Sequence, residues 1–97
     1  MALKIVWTTG AENGFHQIVE YIKLQWTDKE LQAFFKETQS FFSLLQNNPR
    51  ILQPTSTRNN VYRGPMNRLT ILTYHYKPRK KEIVLINIRS ARQKPFK

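Results

Sequence analysis

The spacing of apolar residues changes once along this chain, and that change limits what it can fold into. Phe15, Ile18, Val19, Ile22 and Trp26 recur at helical intervals, as do Leu31, Phe34, Phe35, Thr38, Phe41, Phe42 and Leu45. From residue 61 onward, β-branched and aromatic residues dominate instead, in short runs separated by turn residues. A pattern of period 3.6 does not settle as a strand, nor one of period 2 as a helix. The sequence therefore predicts two helices followed by a sheet, an α+β chain.

The ends of these elements carry their own signals. Residues 3–7 alternate like a strand, with Leu3, Ile5 and Trp7 on one side. Thr9, with Glu12 three residues later, has capping-box spacing and predicts the first helix start. Gly14 in the first turns costs up to about 1 kcal/mol of helix stability. Thr27 and Glu30 form a second capping box. So few residues separate the stripes that a helical hairpin is expected. Asn47, Asn48 and Pro49 end the second helix, because Asn tolerates the left-handed cap position and Pro cannot continue the helix. The aromatic stripe between these ends reads as core.

After a polar connection over residues 50–60, three strands are predicted, at 61–63, 68–77 and 82–88. Gly64, Pro65, Met66 and Asn67 form the first turn, and Pro78, Arg79, Lys80 and Lys81 the second. The expected architecture is an N-terminal strand, a helical hairpin and a three-stranded antiparallel meander. The helices pack on one face of a mainly antiparallel sheet. Residues 1–97 form a single domain with a basic tail at 89–97.

The turns predict a register. Lys77 opposes Glu82, Tyr74 opposes Leu85 and Thr70 opposes Arg89. Across the first turn Arg63 opposes Arg68, and Val61 opposes Thr70. Alternation then assigns Leu69, Ile71, Thr73, Val84, Ile86 and Ile88 to the helix-facing side. His75 falls on that side too. Arg63, Arg68, Thr70, Leu72, Tyr74, Tyr76, Ile83, Leu85, Asn87 and Arg89 fall on the other, and a slip of one residue would exchange the faces.

Charge is what gives this layout a functional meaning. Residues 1–49 hold four Lys/Arg and five Asp/Glu, a net of −1; residues 50–97 hold twelve Lys/Arg and one acid, Glu82, a net of +11. Surfaces kept basic for solubility alone usually intersperse both signs. A half this lopsided predicts an anionic partner, either a phosphate backbone or an acidic protein. In the predicted register Arg63, Arg68 and Arg89 converge at one end of the sheet, with Arg92 close by in the tail. Arginines grip phosphate bidentately, and Tyr74 would add a stacking surface. Lys77, Arg79, Lys80 and Lys81 read more simply as a solvated turn.

Other chemistries find little support. The chain has no cysteine, which removes disulfides and thiolate metal sites and suits a reducing cytoplasm. Two histidines, His16 and His75, with few carboxylates predict no metal site, and no cofactor motif is present. There is no Ser/His/Asp set, no phosphate-cradling glycine loop and no pair of carboxylates. No apolar run approaches the roughly 18 residues of a membrane span, and the start of the chain lacks a signal-peptide core.

Three stretches in this order resemble the RelE/ParE superfamily of toxins. They are Ala-Glu-Asn-Gly-Phe-His-Gln-Ile-Val-Glu-Tyr-Ile in the first helix, Asn-Arg-Leu-Thr-Ile-Leu-Thr-Tyr at 67–74, and Asn-Ile-Arg-Ser-Ala-Arg-Gln-Lys-Pro at 87–95. The last resembles the Arg-Gln-x-Pro ending of many ParE-like members. The resemblance spans nearly the whole chain. It implies the toxin of a type II toxin–antitoxin (plasmid stabilisation) system, held inactive by an acidic antitoxin. Two targets follow from it. ParE-like members poison DNA gyrase. RelE-like members cut mRNA on the ribosome with basic residues and often a C-terminal tyrosine. By resemblance Arg63, Arg68 and Arg89 occupy or lie near RelE-like basic positions and would be the catalytic set. Phe96 stands near the expected tyrosine, and phenylalanine moves no proton. That departure favours the gyrase branch. A basic nucleic-acid-binding module without toxicity is the third possibility.

Overall fold

A computed structural model describes residues 3–67 and 69–91. The order is β1 (Lys4–Trp7), α1 (Thr9–Gln25), α2 (Asp28–Asn47), β2 (Gln53–Pro54), β3 (Val61–Asn67), β4 (Thr70–Lys77) and β5 (Glu82–Ser90). The five strands form one sheet in the order β1-β5-β4-β3-β2. β1 runs parallel to β5, and every other pairing is antiparallel. The α+β arrangement and the helical hairpin are as expected. The two-residue β2 lies within the stretch expected to be an irregular connection.

Both helices begin on a threonine, though the first is one residue earlier than predicted. Thr8, not Thr9, caps α1: its side chain accepts from the Ala11 amide at 3.1 Å and donates to the Leu85 carbonyl at 2.7 Å. The same hydroxyl thus caps the helix and ties it to β5. α2 forms the predicted capping box, with the Thr27 amide donating to Glu30 and the Glu30 amide to Thr27. Phe34, Leu45, Ile18 and Ile22 point from the hairpin into the core. Trp7 packs edge-on to Phe15 and Phe42, with ring centroids 5.5 and 5.7 Å apart.

The sheet differs from the prediction in two places, and both move the side chains that matter. First, β3 does not turn at Gly64. It runs through to Asn67, and the chain reverses between Asn67 and Thr70. The Asn67 side-chain oxygen holds this reversal, accepting from the Leu69 amide at 2.8 Å and the Thr70 hydroxyl at 2.9 Å. Pro65 is compatible with a strand here because β2 pairs only with Tyr62 and Arg63, leaving Pro65 on a sheet edge. Arg63 consequently opposes Thr73, and Val61 opposes His75.

Second, β5 bulges at Ile86. Lys77 opposes Glu82 and Tyr74 opposes Leu85, as predicted, but Thr73 opposes Asn87, so Ile86 is left over. Beyond the bulge the alternation is reversed. Ile88 turns into the core, and Arg89 opposes Ile71. The core face carries Thr70, Leu72, Tyr74, Ile83, Leu85 and Ile88, so the expected assignment of faces is inverted for most of the sheet. Thr70, Leu72, Tyr74, Ile83 and Leu85 do share a face as expected, but it is the face that packs on the helices; the moved turn carries Arg63, and the bulge Asn87 and Arg89, to the opposite face from them.

α1 lies against the bulged edge of β5. A Cβ on Gly14 would run into the Ile88 carbonyl, and one on Gly10 would sit 3.3 Å from the Ile86 carbonyl. Glycine at 14 therefore permits a close approach of helix to strand, which offsets its low helix propensity.

Candidate nucleic-acid interface

The sheet has one face under the helices and one without them. On the helix-free face, cross-strand rows can be read from the register. Gln53, Arg63, Thr73 and Asn87 form one row across β2, β3, β4 and β5. Pro65, Ile71 and Arg89 form the next. On the other side lies the row Val61, His75, Val84 and Val6, followed by Lys77, Glu82 and Lys4.

Arg63 and Arg89 are exposed, and neither pairs with a carboxylate; the ion pairs among the described residues link His16 and Lys23 to Glu20 on α1. Unpaired guanidiniums keep their donors free for an incoming anion. Arg63 also lines a shallow groove of about 590 Å³ with Gln53, Ser56, Pro65, Asn67 and Ile71. Asn67, one of the residues lining it, has a side-chain nitrogen that is buried without a partner. Arg89 borders a smaller, more apolar groove of about 280 Å³ between α1 and the end of β5, lined by Gly14, Ile18, Ile22, Leu69 and Ile88.

The pairings expected to bring the arginines together are not the ones found: Arg63 opposes Thr73, and Arg89 opposes Ile71. Arg63 and Arg89 share a face, one row and two strands apart, and Arg89 reaches it only because of the bulge. Arg68 and Arg92 lie outside the described residues, as does Phe96.

Tyr74 is a correction. It is fully buried on the helix side, stacked on Tyr62 at 5.3 Å, and its hydroxyl donates to the Pro49 carbonyl at 2.6 Å. It has no surface left on which a base could stack. Burial, with the Tyr62 phenol adding to it, pushes its pKa up to about 12. Tyr76 is also occupied, with the Arg50 guanidinium 5.0 Å above its ring. These tyrosines hold down the connection after α2.

His75 is the second correction. Expected to face the helices, it instead lies on the helix-free face, part-exposed, directly opposite Val61 and Val84. Partial burial lowers its pKa, and the cations Arg58 and Lys77 lower it further. What sequence reasoning missed is the row Gln53, Thr73 and Asn87 and the histidine beside it. The available signal was the buried tyrosine pair Tyr62 and Tyr74, which fixes the true register.

Among the described residues no three His, Asp or Glu side chains come together as a metal site, and no helix is long and apolar enough to cross a membrane. No protein-family model and no curated protein matches this sequence. The fold does have a match. A chain in the crystal structure of the toxin–antitoxin complex RelBE2 from Mycobacterium tuberculosis superposes with a TM-score of 0.64. The match is 16% identical in sequence and covers 96% of this chain and 95% of that one. The architecture of this protein is therefore a RelE-like α+β fold.

Proposed function

We propose that this chain is the toxin of a toxin–antitoxin pair and that it arrests growth by cutting mRNA on the ribosome. The observation that carries the reading is the shared position of Arg63, Arg89 and His75 on the helix-free sheet face. Guanidiniums there can bind a phosphodiester and stabilise the charge that builds on its oxygens during cleavage. The part-exposed imidazole of His75 supports cleavage, because it is a group on that face able to accept a proton.

The tail still favours a second reading, poisoning of DNA gyrase, because Phe96 offers no transferable proton. The partner in either case is an acidic antitoxin, whose charge would complement the +11 of residues 50–97. Both readings put the protein in the cytoplasm, where ribosomes and gyrase are.

Induction in a bacterial host followed by primer extension on ribosome-bound mRNA tests the proposal. Discrete A-site cuts that vanish in Arg63→Ala and in Arg68→Ala are the expected result. Arrest of replication with intact messages would instead support gyrase. Coexpression with an adjacent acidic reading frame should restore growth and yield a complex that co-purifies. Free, harmless expression of the protein alone would remove the toxin reading and leave a plain nucleic-acid-binding module.

A further inference from the structure

RNA cleavage through the ribose 2′-hydroxyl needs a group that takes a proton, and arginine cannot be that group at neutral pH. The described residues offer few others on the helix-free face. Tyr62 and Tyr74 are buried on the helix side. Tyr76 follows Tyr74 on that side and lies under Arg50. His16 is on α1, in the other layer. Glu82 is on the correct face but one row further from the arginines, between Lys4 and Lys77. His75 remains.

Its position suits the task. Arg63 on β3 and Asn87 on β5 are its diagonal neighbours, because both oppose Thr73, two residues along β4. Diagonal neighbours on one face lie about 7–8 Å apart. An arginine side chain spans most of that distance, so a phosphate held by Arg63 would have its ribose over the imidazole. Neither ring nitrogen of His75 has a hydrogen-bond partner, and neither is sealed from solvent. In the neutral ring one nitrogen is an acceptor, and here it is open to an incoming hydroxyl.

We propose that His75 is the general base that removes the 2′-hydroxyl proton of an RNA strand lying across the helix-free sheet face. This rests on the endonuclease reading above. The ribose O–H bond breaks and its proton passes to an imidazole nitrogen. The 2′ oxygen forms a bond to the adjacent phosphorus, the bond from phosphorus to the 5′ oxygen breaks, and that oxygen takes a proton from water. The products are a 2′,3′-cyclic phosphate and a 5′-hydroxyl. Arg63 carries the charge on the non-bridging oxygens throughout.

The surroundings favour the neutral, basic form of the ring. Facing it are Lys77 on its own strand, Arg63 on β3, Arg58 in the preceding loop, Glu82 on β5 and Lys4 on β1. The cations outnumber the one carboxylate. Burial and the nearest two cations, Arg58 and Lys77, make the imidazole give up its proton more readily than a free histidine.

The test uses the full-length protein on ribosomes programmed with a defined mRNA. The wild-type rate should rise with pH through an acidic limb below the free-histidine range and then level off. His75→Gln should lower the rate by about 10²–10⁴-fold and flatten that limb. Its RNA affinity and melting temperature should stay unchanged. A substrate with a 2′-deoxy sugar at the cut should bind and remain intact. If His75→Gln cuts at the wild-type rate with the wild-type pH profile, the base is another group. Should the variant fold poorly, the imidazole resonances of the wild type decide. They should shift on binding the 2′-deoxy RNA, and resonances that do not move overturn the proposal. A wild type that binds gyrase and cuts no message removes the endonuclease reading, and the base with it.

Discussion

Tyr74 shows what a single residue contributes when it is buried with its hydroxyl satisfied. Its ring fills the space between α2 and the sheet, and its O–H is bound to the Pro49 carbonyl. The phenol has a pKa raised from 10.0 to about 12 in the folded chain. The native state therefore prefers the protonated form. The resulting stability is fully present below pH 10 and is lost as pH rises from 10 through about 12. Two pKa units correspond to on the order of 2–3 kcal/mol. Alkaline unfolding followed by circular dichroism should show a steep loss over that window. Tyr74→Phe keeps the stacking on Tyr62 but removes the hydroxyl, so it should lose about 1 kcal/mol at neutral pH and flatten the alkaline loss. An unchanged alkaline profile in this variant would assign the loss to other groups. His75 works in the opposite sense. Its lowered pKa means that stability held at neutral pH declines as pH falls through the acidic range below the free-histidine value.

At the scale of elements, the contact between α1 and β5 governs which side chains reach the functional face. The Thr8 hydroxyl bonds the Leu85 and Ile86 carbonyls, Gly10 lies close to Ile86, and Gly14 abuts Ile88, so the helix is seated along the bulge. This makes Gly14→Ala a sharp test. Helix propensity alone predicts a gain of about 1 kcal/mol. The close approach predicts the reverse, because the new methyl meets a backbone carbonyl that cannot rotate away. We expect a net loss of roughly 1–3 kcal/mol by denaturant titration, and a loss of activity as Arg89 shifts. A stabilised variant would show that the helix can lift off the strand freely. The same contact explains what was legible in the sequence. Stripes such as Phe34 to Leu45 and the box at Thr27 and Glu30 are local, so both helices could be read directly. The β4–β5 turn is local too, and its pairs from Lys77 with Glu82 to Tyr74 with Leu85 were predicted correctly. The bulge at Ile86 depends on a helix more than seventy residues away in the chain, and no pattern within β5 announces it. The early turn at Gly64 and Pro65 was a misreading of a different kind. Turn-forming residues sit there, but an unpaired sheet edge accommodates them in a strand. The misplaced turn flipped Arg63 and the unseen bulge flipped Arg89, so the two stay on one face, while taking the wrong face of β4 for the helices exchanged Tyr74 and His75.

Across the whole molecule, charge and layer coincide. The helical hairpin belongs to the half with a net of −1, and β3, β4 and β5 to the half with +11. Two groups of cations share the sheet. Arg63 and Arg89 stand in neighbouring rows near the middle and one end, and Lys77, Arg79, Lys80 and Lys81 surround the β4–β5 turn at the other. Salt dependence separates a strand bound along the face from one merely attracted to the charge. Each phosphate neutralised in single-stranded RNA contributes about 0.7 to the slope of log affinity against log salt. If Arg63 and Arg89 each contact a phosphate, Arg63→Ala and Arg89→Ala should each lower the slope by about that amount, and together by about twice it. Their melting temperatures should hold, because exposed arginines without carboxylate partners leave no buried charge behind. Lys80→Ala serves as the comparison, since it removes one exposed turn cation and leaves both arginines in place. Equal slopes for all three variants would mean that the RNA senses only the net charge, and the arginine rows would then lose their claim to be a site.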